Sequence, residues 1–175
     1  PSIVIVSDHL QYKKIKNRNI IFYKCDILDF VKVEKIFIKE NVDLVIHLAD
    51  VVAGIGFVFS NESFVFRTNL LINSNVTKAI YQHKPKRYIY VGTACSFPKN
   101  LQQSIKSQPL IEDDQFPAFP ESGYGWSKLM GEIESGYLEK EGITECVDLS
   151  LHNVYGRYCD YSYETGQVIP SLCVK

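Results

Sequence analysis

Residues 43–48 read D-L-V-I-H-L, and residues 87–91 read R-Y-I-Y-V. Each is a short apolar run with a charged residue at its head and a turn-forming stretch behind it. Runs that stay apolar instead of alternating fit strands of a parallel sheet covered on both faces. Three more such runs lie at 2–6, 19–23 and 146–151. Segments with helical spacing separate them. Residues 29–40 carry Val33, Ile36 and Phe37, with Asp29 placed to cap the start. Residues 63–81 carry Val65, Leu70, Ile72, Val76 and Ile80, and residues 124–141 carry Leu129, Ile133 and Leu138. Strands alternating with helices imply right-handed crossovers, so the expected class is α/β with a doubly wound parallel sheet.

The chain has 175 residues, 46% of them hydrophobic, which is enough for one compact domain with a sizeable core. Its formal net charge of −1 gives no electrostatic case for nucleic acid. No apolar run approaches the roughly 20 residues that a membrane helix needs. The opening Pro1-Ser2-Ile3-Val4 is not a secretory signal, and the absence of a leading Met suggests a processed or incomplete chain. The five cysteines, Cys25, Cys95, Cys146, Cys159 and Cys173, form no C-x-x-C pair. An odd, scattered set suits free thiols in a reducing cytoplasm, with neither a disulfide framework nor a metal site expected. Residues 97–122, with Pro98, Pro109, Pro117 and Pro120, read as one long loop, and residues 155–170 as a second irregular stretch.

Tyr124 and Lys128 stand four apart on the last predicted helix and so share a face. A phenol ordinarily titrates near pH 10, and a nearby ammonium favours its ionised form. Such a tyrosine can remove a proton from a hydroxyl. The Y-x-x-x-K spacing alone is weak evidence, because the chain holds 11 tyrosines and repeats it at Tyr12 and Lys16. That second pair sits in a basic connecting stretch with no hydroxyl-bearing strand end before it and is assigned no function. Upstream of Tyr124, Y-I-Y-V-G-T-A-C-S-F-P places Thr93 and Cys95 where a strand ends. The Thr93 hydroxyl either meets the same substrate oxygen as the tyrosine or simply satisfies a turn.

Residues 88–98, together with E-S-G-Y-G-W-S-K-L-M-G-E at 121–132, resemble the catalytic segments of extended short-chain dehydrogenases/reductases of the NAD-dependent epimerase/dehydratase family. Within it, they resemble the GDP-mannose 3,5-epimerases and GDP-fucose synthases. V-S-D-H, C-D-I-L-D, H-L-A-D-V-V-A-G-I-G-F and H-N-V-Y-G extend the match along the chain. The resemblance implies a Rossmann-like NAD(P)-binding domain at 1–155 and the start of a substrate-binding region at 156–175. It implies NAD, with NADP possible, and a nucleotide-diphosphate sugar, GDP-linked hexose or heptose, as substrate. Thr93 then stands at the catalytic hydroxyl, Tyr124 is the acid–base, and Lys128 is its partner on the nicotinamide ribose. Asp8 meets the adenosine ribose and favours NAD over NADP. Asp26 and Ile27 line the adenine pocket, while Leu48, Ala49 and Asn69 lie beside the cofactor. Gly54, with Gly56, lets backbone approach the sugar, and Asn153, Gln167 and Lys175 face the sugar or its diphosphate. Cys95 matches a cysteine that moves a proton next to a transient ketone, or else it is a small buried thiol filling space.

Three departures qualify the resemblance. Gln167 stands where those families carry a lysine or histidine, and an amide has no titratable proton. Asp50 replaces a residue that is small in many members, although the GDP-mannose 3,5-epimerases also carry an acid there. The glycine-rich turn that cradles a pyrophosphate is missing together with the first strand, so weak nicotinamide binding by these 175 residues alone is expected. The resulting reading is an epimerase/reductase working through a C4-keto sugar in the cytoplasm, dimeric through the helices at 63–81 and 124–141. The alternatives are a C4-ketosugar reductase without inversion at C3 or C5, and a non-catalytic remnant that keeps the dimer surface. A 4,6-dehydratase fits less well, since Ala94 and Cys95 stand where acids are required. His47 and His152 read as structural histidines, His9 and His83 as solvated, and Lys84-Pro85-Lys86-Arg87 as a solvated turn.

Overall fold

The computed structural model describes residues 3–7, 19–104, 106–157, 159–162 and 166–174. Asp8, Lys175 and the Tyr12/Lys16 pair lie outside them. In chain order the elements are β1 (Ile3–Ser7), β2 (Ile20–Lys24), α1 (Phe30–Glu40), β3 (Leu44–His47), α2 (Ile55–Ser60), α3 (Glu62–His83), β4 (Arg87–Thr93), α4 (Gly123–Lys140), β5 (Glu145–Leu151) and α5 (Val168–Cys173). All five expected strands and all three expected helices form, with boundaries shifted by one or two residues. α2 and α5 were not expected: at six residues each they are too short to show a period.

Local chemistry sets the helix ends. The Asp29 carboxylate accepts the Lys32 N–H at 3.3 Å, satisfying one free donor of the first turn of α1. Ser122 caps α4 by accepting from the Gly125 N–H at 3.3 Å. Lys84 ends α3 in the left-handed region, at φ 49°, just ahead of Pro85. The basic turn beyond it is solvated as expected: Lys86 pairs with Asp43 at 2.9 Å, and Arg87 with Glu145 at 2.6 Å.

Every strand pair is parallel. The described strands form two sheets, β1–β2 and β3–β4–β5. In the larger sheet, Ile46, Ile89 and Val147 share one cross-strand row. Its inner face carries Tyr88 and Tyr90, which pack with Val76 and Ile80 of α3 and Leu138 of α4. A second cluster joins Cys25, Val33 and Ile36 to Ala79 of α3, and Ile27 and Phe37 touch both. The expectation of a sheet covered on both faces needs correction. Leu44, Ile46, Val147, Leu149 and Leu151 are exposed, and no element among the described residues packs over them. The continuous apolar pattern therefore records strands built for two covered faces, of which α3 and α4 cover one.

His47 is the structural histidine expected, whereas His152, expected to be another, is exposed, and His83 is half-buried against the Phe37 ring instead of solvated. The His47 ring is enclosed between Tyr88 and Tyr90, and its Nε2 lies 3.0 Å from Asn73 Oδ1. Burial, helped by the nearby Lys128 charge and opposed by the Asn73 bond, lowers its pKa to about 4. Because the folded value lies below the unfolded one of about 6.5, stability is fully present above that pH and is lost as pH falls toward 4. The protein should therefore lose about 3 kcal/mol relative to His47→Gln between roughly pH 6.5 and 4. Paired urea titrations across that range check this, and a pH-independent difference between the two proteins would refute it.

Candidate active site

β4 and α4 bring the expected catalytic residues together. β4 ends at Thr93, whose side-chain oxygen accepts the Cys95 N–H at 3.2 Å and so opens the turn Ala94–Ser96. α4 begins beside that turn because two glycines permit close approach. A Cβ on Gly125 would lie 2.2 Å from the Cys95 carbonyl oxygen, and one on Gly131 would lie 2.3 Å from the Tyr90 hydroxyl. With α4 seated there, the Tyr124 phenol comes near enough to the Thr93 hydroxyl for that side chain to pull its pKa down. Cys95 is exposed at the rim, close enough for its charge to act on Tyr124.

Lys128 lies one turn further along α4, deep beneath the surface, with its side chain 5% exposed. Its ammonium donates to the Val91 carbonyl at 2.6 Å, sits 4.9 Å from the centre of the Tyr90 ring, and forms an ion pair with Asp50. The Asp50 side chain is 3% exposed, and its Oδ1 has no hydrogen-bond partner among the described residues. Burial pushes the Asp50 carboxyl above its ordinary value, while the Lys128 ammonium opposes that rise.

Tyr124 departs from the sequence expectation. Its phenol is held well above the ordinary value, first by burial, then by the negative charges of Asp50 and Cys95, against a smaller downward pull from the Thr93 bond. The ammonium expected to ionise the phenol is engaged by Asp50.

The loop after β3 is tied down by Asn69 of α3. The Asn69 Oδ1 accepts the Val51 N–H at 2.7 Å, and its Nδ2 donates to the Val51 carbonyl at 3.2 Å. Asn69 is fully buried and holds the loop that flanks the expected cofactor position. On this loop Leu48 is 70% exposed and Ala49 half-buried, and Gly54 caps α2 through its backbone. Asp26 follows β2 and turns the chain by accepting the Leu28 N–H at 2.9 Å, while Ile27 packs into the core. A network behind the site escaped sequence reasoning. The Ser96 hydroxyl lies 2.7 Å from the Thr93 carbonyl oxygen and 3.2 Å from Glu132 Oε1, and Gln115 donates to Glu132. Glu132 follows Lys128 by one turn of α4, which is the only hint the sequence held. Asn153 is exposed beyond β5, and Gln167 is exposed at the head of α5. Among the described residues no helix is long and apolar enough to cross a membrane, and all five cysteines are thiols.

Comparisons with known proteins agree with this geometry. GDP-mannose 3,5-epimerase of Arabidopsis thaliana is 34% identical over 121 residues, covering 69% of this chain and 32% of the relative. A probable GDP-L-fucose synthase of Drosophila melanogaster is 25% identical over 148 residues, covering 84% of this chain and 45% of the relative. The chain thus spans between a third and a half of the length of these relatives. UDP-glucose 4-epimerase of Thermotoga maritima, solved with UDP-glucose, superposes with a TM-score of 0.78 over 94% of this chain and 52% of that one. At 24% identity that likeness speaks for the Rossmann-like fold alone. The family model for the NAD dependent epimerase/dehydratase family matches residues 2–175, and the chain belongs to that family.

Proposed function

We propose that this chain forms the hydride- and proton-transfer centre of a nucleotide-sugar epimerase/reductase, acting on a GDP-linked hexose or heptose through a C4-keto intermediate. The observation that carries this reading is that Thr93 at the end of β4 and Tyr124 of α4 are brought together, with Lys128 one helical turn behind. Similarity to GDP-mannose 3,5-epimerase and to a GDP-L-fucose synthase supports GDP as the nucleotide.

The residues fit a nicotinamide dinucleotide, NAD or NADP, in one respect open to direct reading. Asp50 Oδ1 is a buried acceptor with no partner among the described residues, and it lies beside the Lys128 ammonium. A ribose hydroxyl is a donor suited to it. Lys128 would hold the nicotinamide ribose, Leu48 and Ala49 would flank the cofactor, and Asp26 and Ile27 would border the adenine. When bound, the nicotinamide supplies hydride chemistry at the sugar C4. Thr93 orients the C4 oxygen. Tyr124, a neutral phenol held above its ordinary pKa, gives its proton to that oxygen as the ketone is reduced, and its phenolate takes the proton back in the reverse direction. A ketone at C4 acidifies the hydrogens on C3 and C5, and the exposed Cys95 thiol is placed to exchange one of them.

One observation favours a second reading, reduction at C4 without double inversion. Gln167 offers no titratable proton for the opposite sugar face, and it lies exposed at the head of α5. We include in the proposal a homodimer through α3 and α4, whose outer surfaces expose Phe64, Leu71 and Tyr137.

Incubating the natural full-length protein with GDP-sugars and NAD(P) in deuterated water tests the reaction. Deuterium should enter at C3 or C5, and Cys95→Ser should abolish that entry while sparing hydride transfer at C4. Tyr124→Phe should slow both by about 10²–10⁴-fold. No exchange together with no cofactor turnover would sink the reading, whereas cofactor turnover without exchange would select the reductase. For the dimer, Leu71→Glu should halve the sedimenting mass of the folded protein, and an unchanged mass would exclude this interface.

A further inference from the structure

Three side chains from distant parts of the chain meet behind the turn that carries Thr93 and Cys95. Ser96 belongs to that turn and is fully buried, Glu132 of α4 is buried beside it, and Gln115 reaches in from the long loop between β4 and α4. Gly92 makes the room, since a Cβ there would overlap Glu132 Oε1. The Asp114 carboxylate accepts the Ile111 N–H at 2.9 Å and so shapes the single turn Glu112–Gln115 that presents Gln115. Elsewhere the loop is held by the Lys99 N–H, which donates to the Phe119 carbonyl at 2.9 Å, and by Gln102 Nε2, which donates to the Ala94 carbonyl at 3.1 Å.

Protons are scarce in this cluster. The Ser96 hydroxyl has one, and it faces two acceptors, the Thr93 carbonyl oxygen at 2.7 Å and Glu132 Oε1 at 3.2 Å. An O–H···O bond is ordinarily about 2.5–3.0 Å long, so the proton goes to Thr93. Gln115 Nε2 has two N–H groups, one for Ser96 Oγ at 3.1 Å and one for Glu132 Oε2. Glu132 Oε1 is left facing a lone pair of the serine oxygen. With Glu132 ionised, that buried contact is repulsive. With Glu132 as the neutral acid, its O–H donates to Ser96 Oγ, and every group in the cluster has a partner.

We propose that Glu132 is a positioning residue that works as the neutral acid, latching the loop between β4 and α4, through Gln115, to the turn that places Thr93 and Cys95, through Ser96. This deepens the proposed reaction and rests on it for the roles of Thr93 and Cys95 alone. Burial lifts the Glu132 carboxyl above its ordinary value and Asp148 of β5 adds to the rise, against the pull of Gln115, Ser96 and Lys128. Of these, the Lys128 ammonium is bound to Asp50. From β4, the Tyr90 phenol feels the same carboxylate and is itself pushed up by burial, so it brings no charge. Because the folded value of Glu132 is raised, the latch is complete at low pH and weakens as pH rises through the Glu132 titration.

Two measurements on the natural full-length protein check this, and neither needs substrate or cofactor, so an inactive protein leaves both decisive. In protein labelled with ¹³Cδ-glutamate, the Glu132 signal is assigned by its loss in Glu132→Gln. It should remain that of a neutral acid where the exposed glutamates have already become carboxylates, and titration in step with them overturns the proposal. Amide hydrogen exchange over segments 95–102 and 111–119, followed by mass spectrometry, reads the latch itself. Glu132→Gln keeps a donor toward Ser96 and an acceptor toward Gln115, so it should exchange at the parent's rate at low pH. Once the parent's Glu132 signal turns to carboxylate, Glu132→Gln should become the slower of the two at equal pH. Glu132→Ala should exchange about tenfold faster in both segments, while segments of α1 and α3 keep the parent's rate. Should Glu132→Ala fail to fold, Gln115→Ala is measured in its place and should show the same local acceleration. Parent-like exchange in the alanine variant, or Glu132→Gln behaving as that variant does, overturns the proposal.

Discussion

A buried ion pair between Asp50 and Lys128 organises this molecule, and it sits in an arrangement that is costly to build. Taking a carboxylate and an ammonium out of water costs several kcal/mol for each ion, and their attraction repays this only when geometry is good and other bonds complete it. The fold supplies that completion from three directions. The Val91 carbonyl of β4 takes a second ammonium proton, the Tyr90 ring lies beneath the charge, and Asn69 fixes the backbone that carries Asp50. The first two contacts do not survive if α4 stands off from β4, so the close seating allowed at Gly125 and Gly131 is a precondition for the pair. The pair therefore ties the loop after β3, the strand β4 and the helix α4 into one unit, and the candidate site is the surface of that unit.

The polar core behind the site follows from the same requirement. Asn73 spans His47, Tyr90 and the carbonyl of Ser127, joining β3, β4 and α4 through one side chain of α3. Each of these groups is buried, and left unpaired each would cost about 1–3 kcal/mol. Satisfied together, they allow only one register of α3 against the sheet. Hydrophobic packing of Val76, Ile80 and Leu138 tolerates small slips that this network does not. The precision needed at Tyr124 and Thr93 thus comes from amides and hydroxyls one layer below them.

The strands and long helices were legible because each repeats its signal. Five apolar runs and three helical periods survive an error of a residue or two at either end, and the Asp29 cap was readable as a side chain next to a period. α2 and α5 have too few turns to repeat anything. Covered and bare sheet faces read alike, since Leu44, Ile46 and Val147 are apolar whether or not something packs on them. At the site, Thr93, Cys95, Tyr124 and Lys128 were legible as a group because two local motifs carry them. The partnership of Asp50 with Lys128 was not, because it joins positions far apart in sequence and depends on how closely a helix approaches a strand. For the same reason the bridge from Asn69 to Val51 was not legible.

Sequence spacing shows a lysine one turn from a tyrosine and nothing of what the fold packs against them. Lys128 is seated by the Val91 carbonyl and by Asp50, neither of which belongs to the motif. Burial raises the Tyr124 phenol, as it raises any acid whose charged form loses water, and the Thr93 side chain pulls the other way. The Y-x-x-x-K spacing therefore fixes which face of α4 the two side chains share, while the strand and loop packed against that face set the surroundings in which they titrate.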